Sequence, residues 1–409
     1  MATPITPITS ILKSLASAGK AYEQNEAGSR ETLIDLGRAL VTQLEIPSEF
    51  LQRTFWAEPA QSAIIRMAVD THLFQHLRAA GETGLTVHSL AQKTGTDILL
   101  LSRLARHLVA MYLLSFKDGT FRATALSNGL AEENYQHSIA FCYDTARPSF
   151  NNFPSHFKSR GYTSPELGTL DGPFQNAHRT TLPFFEWLVA NPPNLQHFDS
   201  FMSAYRAGKK NWYDDGFYPV QERLIAGFDA EESGSDVLLV DVGGGRGHDV
   251  MGFAAAHAGH PGKIILQDRE AVIAGVIEST STQETEPEAP FTAAAHDFFT
   301  PQPVVGARAY SLHSILHDWS DENGIKILQN LVPALKKGYS RVLLNEIVVS
   351  EEKPTLAATN MDLMMLAHFA VRERTEKEWG DILAAAGLRI VKIWMYPGVA
   401  ESVIEAELA

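Results

Sequence analysis

The side chains best suited to proton chemistry are His317, inside His317-Asp318-Trp319-Ser320-Asp321-Glu322, and two glutamates further on, Glu346 and Glu373. An imidazole has an ordinary pKa near ~6.5, so it can take up a proton at neutral pH. A carboxylate accepting from Nδ1 would leave Nε2 free to receive that proton and would stabilise the resulting imidazolium. Glu346 and Glu373 are the candidate carboxylates. The plainer role for His317 is capping or packing ahead of a helix opened by Ser320. Asp318 and Trp319 are assigned structural roles, Trp319 also as a pocket wall.

A second segment, Asp241-Val242-Gly243-Gly244-Gly245-Arg246-Gly247-His248-Asp249, follows the apolar run Val237–Val242. Glycines are needed where a chain turns sharply off a strand and a ligand comes too close for a Cβ. A dinucleotide fingerprint would want a third glycine where His248 stands, which disfavours a nicotinamide cofactor; His248 reads as the first turn of a helix. Asp268 ends the next apolar run, where a carboxylate can accept both ribose hydroxyls. Ala295-His296-Asp297-Phe298-Phe299 offers an acid or a backbone group to an adenine edge and a ring to its face. Together they point to an adenosine ligand without a pyrophosphate.

These segments need a scaffold. Val237–Val242, Lys263–Leu266, Ala307–Leu312 and Arg341–Val349 are apolar runs separated by helix-length stretches, the pattern of a mostly parallel sheet covered on both faces. Arg389–Met395, a turn at Pro397-Gly398 and Ser402–Leu408 read as a hairpin, so the last strand runs antiparallel. Ser279–Pro290 is a polar insertion. Upstream, Ser29–Leu44 and Ala60–Ala80 carry helical apolar spacing, as in Ile65, Val69, Leu73 and Leu77. A turn at Gly81–Gly84, helices Val87–Thr94 and Ile98–Met111, and a hairpin about Asp118-Gly119 form a winged helix. Residues 145–215 are rich in aromatics, among them Phe150, Phe153, Phe157, Phe174, Phe184, Phe185, Trp187 and Trp212, which read as helix packing with some available to an apolar pocket.

A winged helix raises the possibility of a DNA-binding regulator, but Arg103, Arg106 and His107 make a thin basic patch, and the net charge of −14 opposes polyanions. A small, weakly charged partner is expected, with no nucleic acid. No apolar run is long enough to cross a bilayer, and Met1–Gly19 lacks the features of a secretory signal, so no membrane association and a cytoplasmic location are expected. The single cysteine, Cys142, reads as a small core residue.

Leu239-Val240-Asp241-Val242-Gly243-Gly244-Gly245-Arg246-Gly247, Asp268, His317-Asp318-Trp319-Ser320-Asp321-Glu322 and Arg372-Glu373-Arg374-Thr375 together resemble the caffeic-acid-type O-methyltransferases, especially their fungal secondary-metabolite relatives. The resemblance covers nearly the whole chain. It implies an α/β fold with a doubly wound seven-stranded methyltransferase sheet, its last strand antiparallel, behind a helical winged-helix dimerisation domain. Expected bounds are 1–145 for that domain, 146–215 for a helical linker contributing to the substrate pocket, and 216–409 for the Rossmann-like catalytic domain. The cofactor implied is S-adenosyl-L-methionine, with Gly243, Gly244 and Gly245 near its methionine part, Asp268 on the ribose, and Asp297 and Phe298 on the adenine. His313 stands where the family often has Lys or Arg reaching the cofactor. Met361, Met365, His368 and Phe369, with Trp319, are the implied acceptor contacts. The expected activity is methylation of a hydroxyl on a small aromatic or polyketide-type molecule by a homodimer without a metal, His317 acting as base beside Glu346 and Glu373. The alternatives are a methyltransferase-like enzyme that binds the cofactor and catalyses a pericyclic or dehydration step, and an amine N-methyltransferase.

Overall fold

The computed structural model describes residues 7–281 and 289–409; most of the polar insertion at 279–290 lies outside them. Two compact units are present, one formed by Met1–Gly161 and Phe174–Ala207, the other by Tyr162–Pro173 and Gly208–Ala409.

The first unit is helical. The helix over Ser29–Leu44 has the expected bounds, whereas Ala60–Ala80 is two helices, Glu58–Asp70 and Leu73–Ala80. They part at His72, whose φ of 51° is left-handed and ends the hydrogen-bond ladder although the apolar spacing continues. In the winged helix, Thr86 caps the helix Val87–Thr94 by accepting from Ser89 N, and Asp97 caps Ile98–Ala110 through Leu100 N. Strands β1 (Leu114–Lys117) and β2 (Thr120–Ala123) pair antiparallel, and Leu85 bridges to Phe121. Leu77, Leu90, Leu101, Leu108 and Phe121 form the core beneath them. Cys142 departs from expectation: it is exposed, because Phe141, Thr145 and Ala146 take the inward positions of its helical turn.

The second unit carries the sheet. Strands β3 (Val237–Val242), β4 (Lys263–Asp268), β5 (Thr292–Ala295), β6 (Ala309–His313), β7 (Arg341–Val349), β8 (Arg374–Thr375), β9 (Leu388–Met395) and β10 (Glu401–Leu408) are joined with the main order β5-β4-β3-β6-β7-β10-β9, and β8 pairs with the end of β7. β3 to β7 run parallel to one another, while β10 is antiparallel to both β7 and β9. All six residues of β3 are buried, with Val240 and Val242 in one core and Leu239 in the other. Burying each such side chain contributes about 1.5–3 kcal/mol, so both faces hold this strand in place. The chain reverses from β3 to β4 on one side and β6 on the other, which opens a crevice at their carboxyl ends.

Candidate active site

β6 and β7 lie in register with His313 opposite Asn345, so the chain leaving β6 emerges beside Glu346. Ser314 turns in the left-handed region and donates its N–H to Asn345 O, and Leu316–Asp318 coils into a short 3₁₀ turn. Glu346 Oε1 seats that turn by accepting from Ile315 N at 3.0 Å and Leu316 N at 2.8 Å. Arg374, almost wholly buried, holds it from the other side. Its guanidinium donates to Leu316 O at 2.8 Å, Trp319 O at 2.7 Å and Asp321 Oδ1 at 2.8 Å, and lies over the Trp379 ring.

This scaffold brings together the three expected proton-handling residues. His317 Nδ1 donates to Glu373 Oε1 at 2.9 Å and lies 3.9 Å from Glu346 Oε2. Only 7% of His317, 1% of Glu346 and 4% of Glu373 is exposed, so water screens these charges little. Burial works against an imidazolium, but the carboxylates of Glu346, Glu373 and Asp318 and the hydrogen bond to Glu373 outweigh it and push His317 up to about 10. Burial raises Glu346, with the His317 charge opposing. Asp318 joins the group: its Oδ1 is 3.6 Å from His317 Nε2, and burial pushes its carboxyl up to about 7. Asp318 is read above as structural; the 3₁₀ turn also sets its partly buried carboxylate beside the imidazole.

On β3, the glycine loop lies under close constraint. Gly243 has φ 77°, and a Cβ there would stand 2.7 Å from Ile315 Cδ1; at Gly244 it would stand 2.2 Å from Asp241 Oδ2. Gly243 N and Gly244 N donate to Gln267 O, and Gly245 N donates to Asp268 Oδ2 at 2.9 Å. Asp268 is thus fixed at the end of β4, against the loop. Asp241 is buried with neither carboxylate oxygen hydrogen-bonded among the described residues, and burial, with Asp249 and Asp268 nearby, holds its pKa well above the usual carboxylate range. A bare backbone cradle flanked by carboxylates suits a ligand that carries hydroxyl and ammonium donors. Asp297 is exposed, and its Oδ1 accepts from Phe299 N. Phe298 is half-buried, with its ring edge-on to Trp319 and near the position a Gly243 Cβ would take. His313 Nδ1 pairs with Asp249 Oδ2 at 2.7 Å, and the same oxygen accepts from Trp212 Nε1 at 3.1 Å.

Met361, Met365, His368 and Phe369 share one face of the helix Leu356–Phe369, which packs on the His317 turn. Met365 and His368 are buried, Met361 and Phe369 half-buried. Sequence reasoning gave no role to Asp249, Asp362 or Arg374, and read Trp212 only as one of the packing aromatics, which its place in the core bears out. A lone acid in the apolar run Met361-Asp362-Leu363-Met364-Met365 was the one available signal; the Trp212–Asp249 bond joins positions too far apart in sequence to show.

The O-methyltransferase domain family matches residues 220–389. O-methyltransferase mpaG of Penicillium brevicompactum is 60% identical over 400 residues, 98% of each chain. Among solved structures, a pericyclic reaction enzyme superposes with TM-score 0.87 at 26% identity, covering 98% of this chain and all of that one. LepI in complex with SAM superposes with TM-score 0.86 at 26% identity, over 96% of this chain and 97% of that one. With a curated relative this similar along almost its entire length, and with a glycine cradle and a buried His–Glu pair at the carboxyl ends of one parallel sheet, the chain belongs to the O-methyltransferase family.

Proposed function

We propose that this O-methyltransferase moves the methyl group of S-adenosyl-L-methionine to a hydroxyl of a small aromatic or polyketide-type metabolite, with His317 as general base. The observation that carries the reading is the 2.9 Å bond from His317 Nδ1 to the buried Glu373 carboxylate, which leaves Nε2 as the proton acceptor. The cofactor supplies an already activated methyl on a cationic sulfur. Gly243, Gly244 and Gly245 would hold its methionine part, Asp268 its ribose and Asp297 with Phe298 its adenine. Asp268 supplies the carboxylate such a ligand needs, Asp241 lies buried against Gly244, and His313 is tied to Asp249.

A phenolic hydroxyl, with an ordinary pKa near about 10, must lose its proton as the methyl arrives. His317 takes that proton on Nε2, and Glu373 and Glu346 stabilise the imidazolium. Trp319, Met361, Met365 and Phe369 supply apolar contacts for a planar ring, with His368 beside them as a polar contact; methionine adapts to varied shapes. Turnover with methyl-labelled cofactor and a panel of phenolic and polyketide acceptors is expected to give labelled products one methyl heavier. A product formed without mass gain would instead support a pericyclic or dehydration step, the reading favoured by the likeness to the pericyclic reaction enzyme.

Among the described residues no helix is long and apolar enough to cross a membrane. Leu12, Leu44, Ile46, Phe55 and Trp56, within the first helical region, are large apolar side chains left more than half exposed, and we assign them to a homodimer interface. Light scattering is expected to return twice the chain mass; a monomer at micromolar concentration would remove that assignment.

A further inference from the structure

We propose that Asp362 is a positioning residue that links the acceptor-facing helix to the base pair of the site, an inference that rests on the O-methyltransferase reading above. Asp362 lies on the helix Leu356–Phe369, one residue from Met361 and three from Met365. Its Oδ1 accepts from Glu373 N at 2.9 Å. That bond is the only hydrogen bond recorded for the Glu373 amide among the described residues, because the ladder between β8 and β7 starts one residue later, at Arg374 opposite Val348.

Around Glu373 the neighbouring residues have their own anchors: Ala370 O accepts from Gly168 N, Val371 is buried, and Arg372 pairs with Asp321 and Glu378, while the Glu373 amide itself is left to Asp362. The helix ends at Ala370, a non-glycine residue at φ 54° in the left-handed region, and Val371 N reaches back to Met365 O at 3.4 Å. The Glu373 carboxylate contributes no second anchor of its own: Oε1 accepts from His317 Nδ1, and Oε2 is buried with no hydrogen-bond partner among the described residues. Arg374 ties the following residue to the His317 turn, and Asp362 fixes the Glu373 amide itself, so Asp362 trims the final distance from the Glu373 carboxylate to the imidazole. Met361 and Met365 belong to the same rigid helix, so an acceptor that shifts this face shifts Glu373 against His317. Fit of the acceptor is thereby read in the turnover step as well as in binding.

The test compares Asp362→Ala and Asp362→Asn in the full-length chain. Asparagine keeps an oxygen that can accept from Glu373 N; alanine does not. Asp362→Ala is expected to lower kcat about tenfold, the equivalent of one lost hydrogen bond, with KM for the cofactor changed less than about twofold. Asp362→Asn is expected to recover kcat to within about threefold of the parent. Independently of turnover, ¹⁵N NMR titration of the His317 ring is expected to give a lower midpoint in Asp362→Ala than in the parent, because Glu373 no longer sits as close to Nδ1. An unchanged His317 titration in folded Asp362→Ala, or equal loss of kcat in both variants, overturns the proposal. If the parent shows no methyl transfer, the O-methyltransferase reading fails, while the ring titration still decides the role of Asp362.

Discussion

Replacing His317 with alanine is expected to lower methyl transfer by about 10³-fold, the scale of a lost general base, while cofactor affinity stays within about twofold. The separation follows from geometry. His317 bonds to Glu373 and stands among Glu346 and Asp318, whereas the glycine loop and Asp268 bond to each other and to Gln267. Isothermal titration with the cofactor and steady-state rates on the same preparation provide the two readouts. Loss of cofactor binding in step with rate would show that alanine collapses the turn, and full activity would remove His317 from the chemistry. Glutamine at 317 offers a control that retains bulk but cannot accept a proton at neutral pH.

The second large effect is on pH. A base must be unprotonated to act, and the surrounding carboxylates push His317 up to about 10, so most of it is imidazolium at neutral pH. The kcat/KM for a phenolic acceptor is therefore expected to climb about tenfold per pH unit from pH 7 to 9 and to level off near the His317 pKa. An acceptor that ionises on its own would give a similar rise, so the variant Glu346→Gln separates the two. Glutamine can still accept from Ile315 N and Leu316 N through its Oε1, which preserves the turn, but it removes one negative charge beside the imidazole. Taking away a charge that raises the His317 pKa must lower it, so the midpoint moves to lower pH while the titration of the acceptor does not move. A midpoint identical in parent and Glu346→Gln would assign the rise to the acceptor.

Much of this was legible in the residues themselves. The strands Val237–Val242 and Arg341–Val349 have the bounds expected from their apolar runs, because strands buried on both faces leave little freedom in where they begin and end. Local signals also sufficed for Thr86 and Ser320, each of which caps its helix by accepting from the amide three residues further on. The break at His72 was hidden, since apolar spacing reports which face is buried and is silent about one residue crossing into the left-handed region. The convergence of His317, Glu346 and Glu373 could be expected from strand ends and resemblance, but Asp318 could not, as its inward aim depends on the 3₁₀ turn. Asp249 and Trp212 meet only after the fold has formed.

The carboxylate oxygens left without a hydrogen-bond partner bear on how such a chain changes over generations. Glu346 Oε2, Glu373 Oε2 and both oxygens of Asp241 are buried in this state among the described residues. Each buried polar atom without a partner costs on the order of 1–3 kcal/mol of stability. At Asp241, where neither oxygen is bonded, a neutral isostere would relieve that cost; at Glu346 and Glu373 the other oxygen seats the His317 turn or bonds the imidazole, so only a neutral amide that keeps that acceptor could do so. A lineage freed from the need to methylate would drift first at Asp241, and a screen for thermostable variants would select the same loss unless activity were assayed alongside.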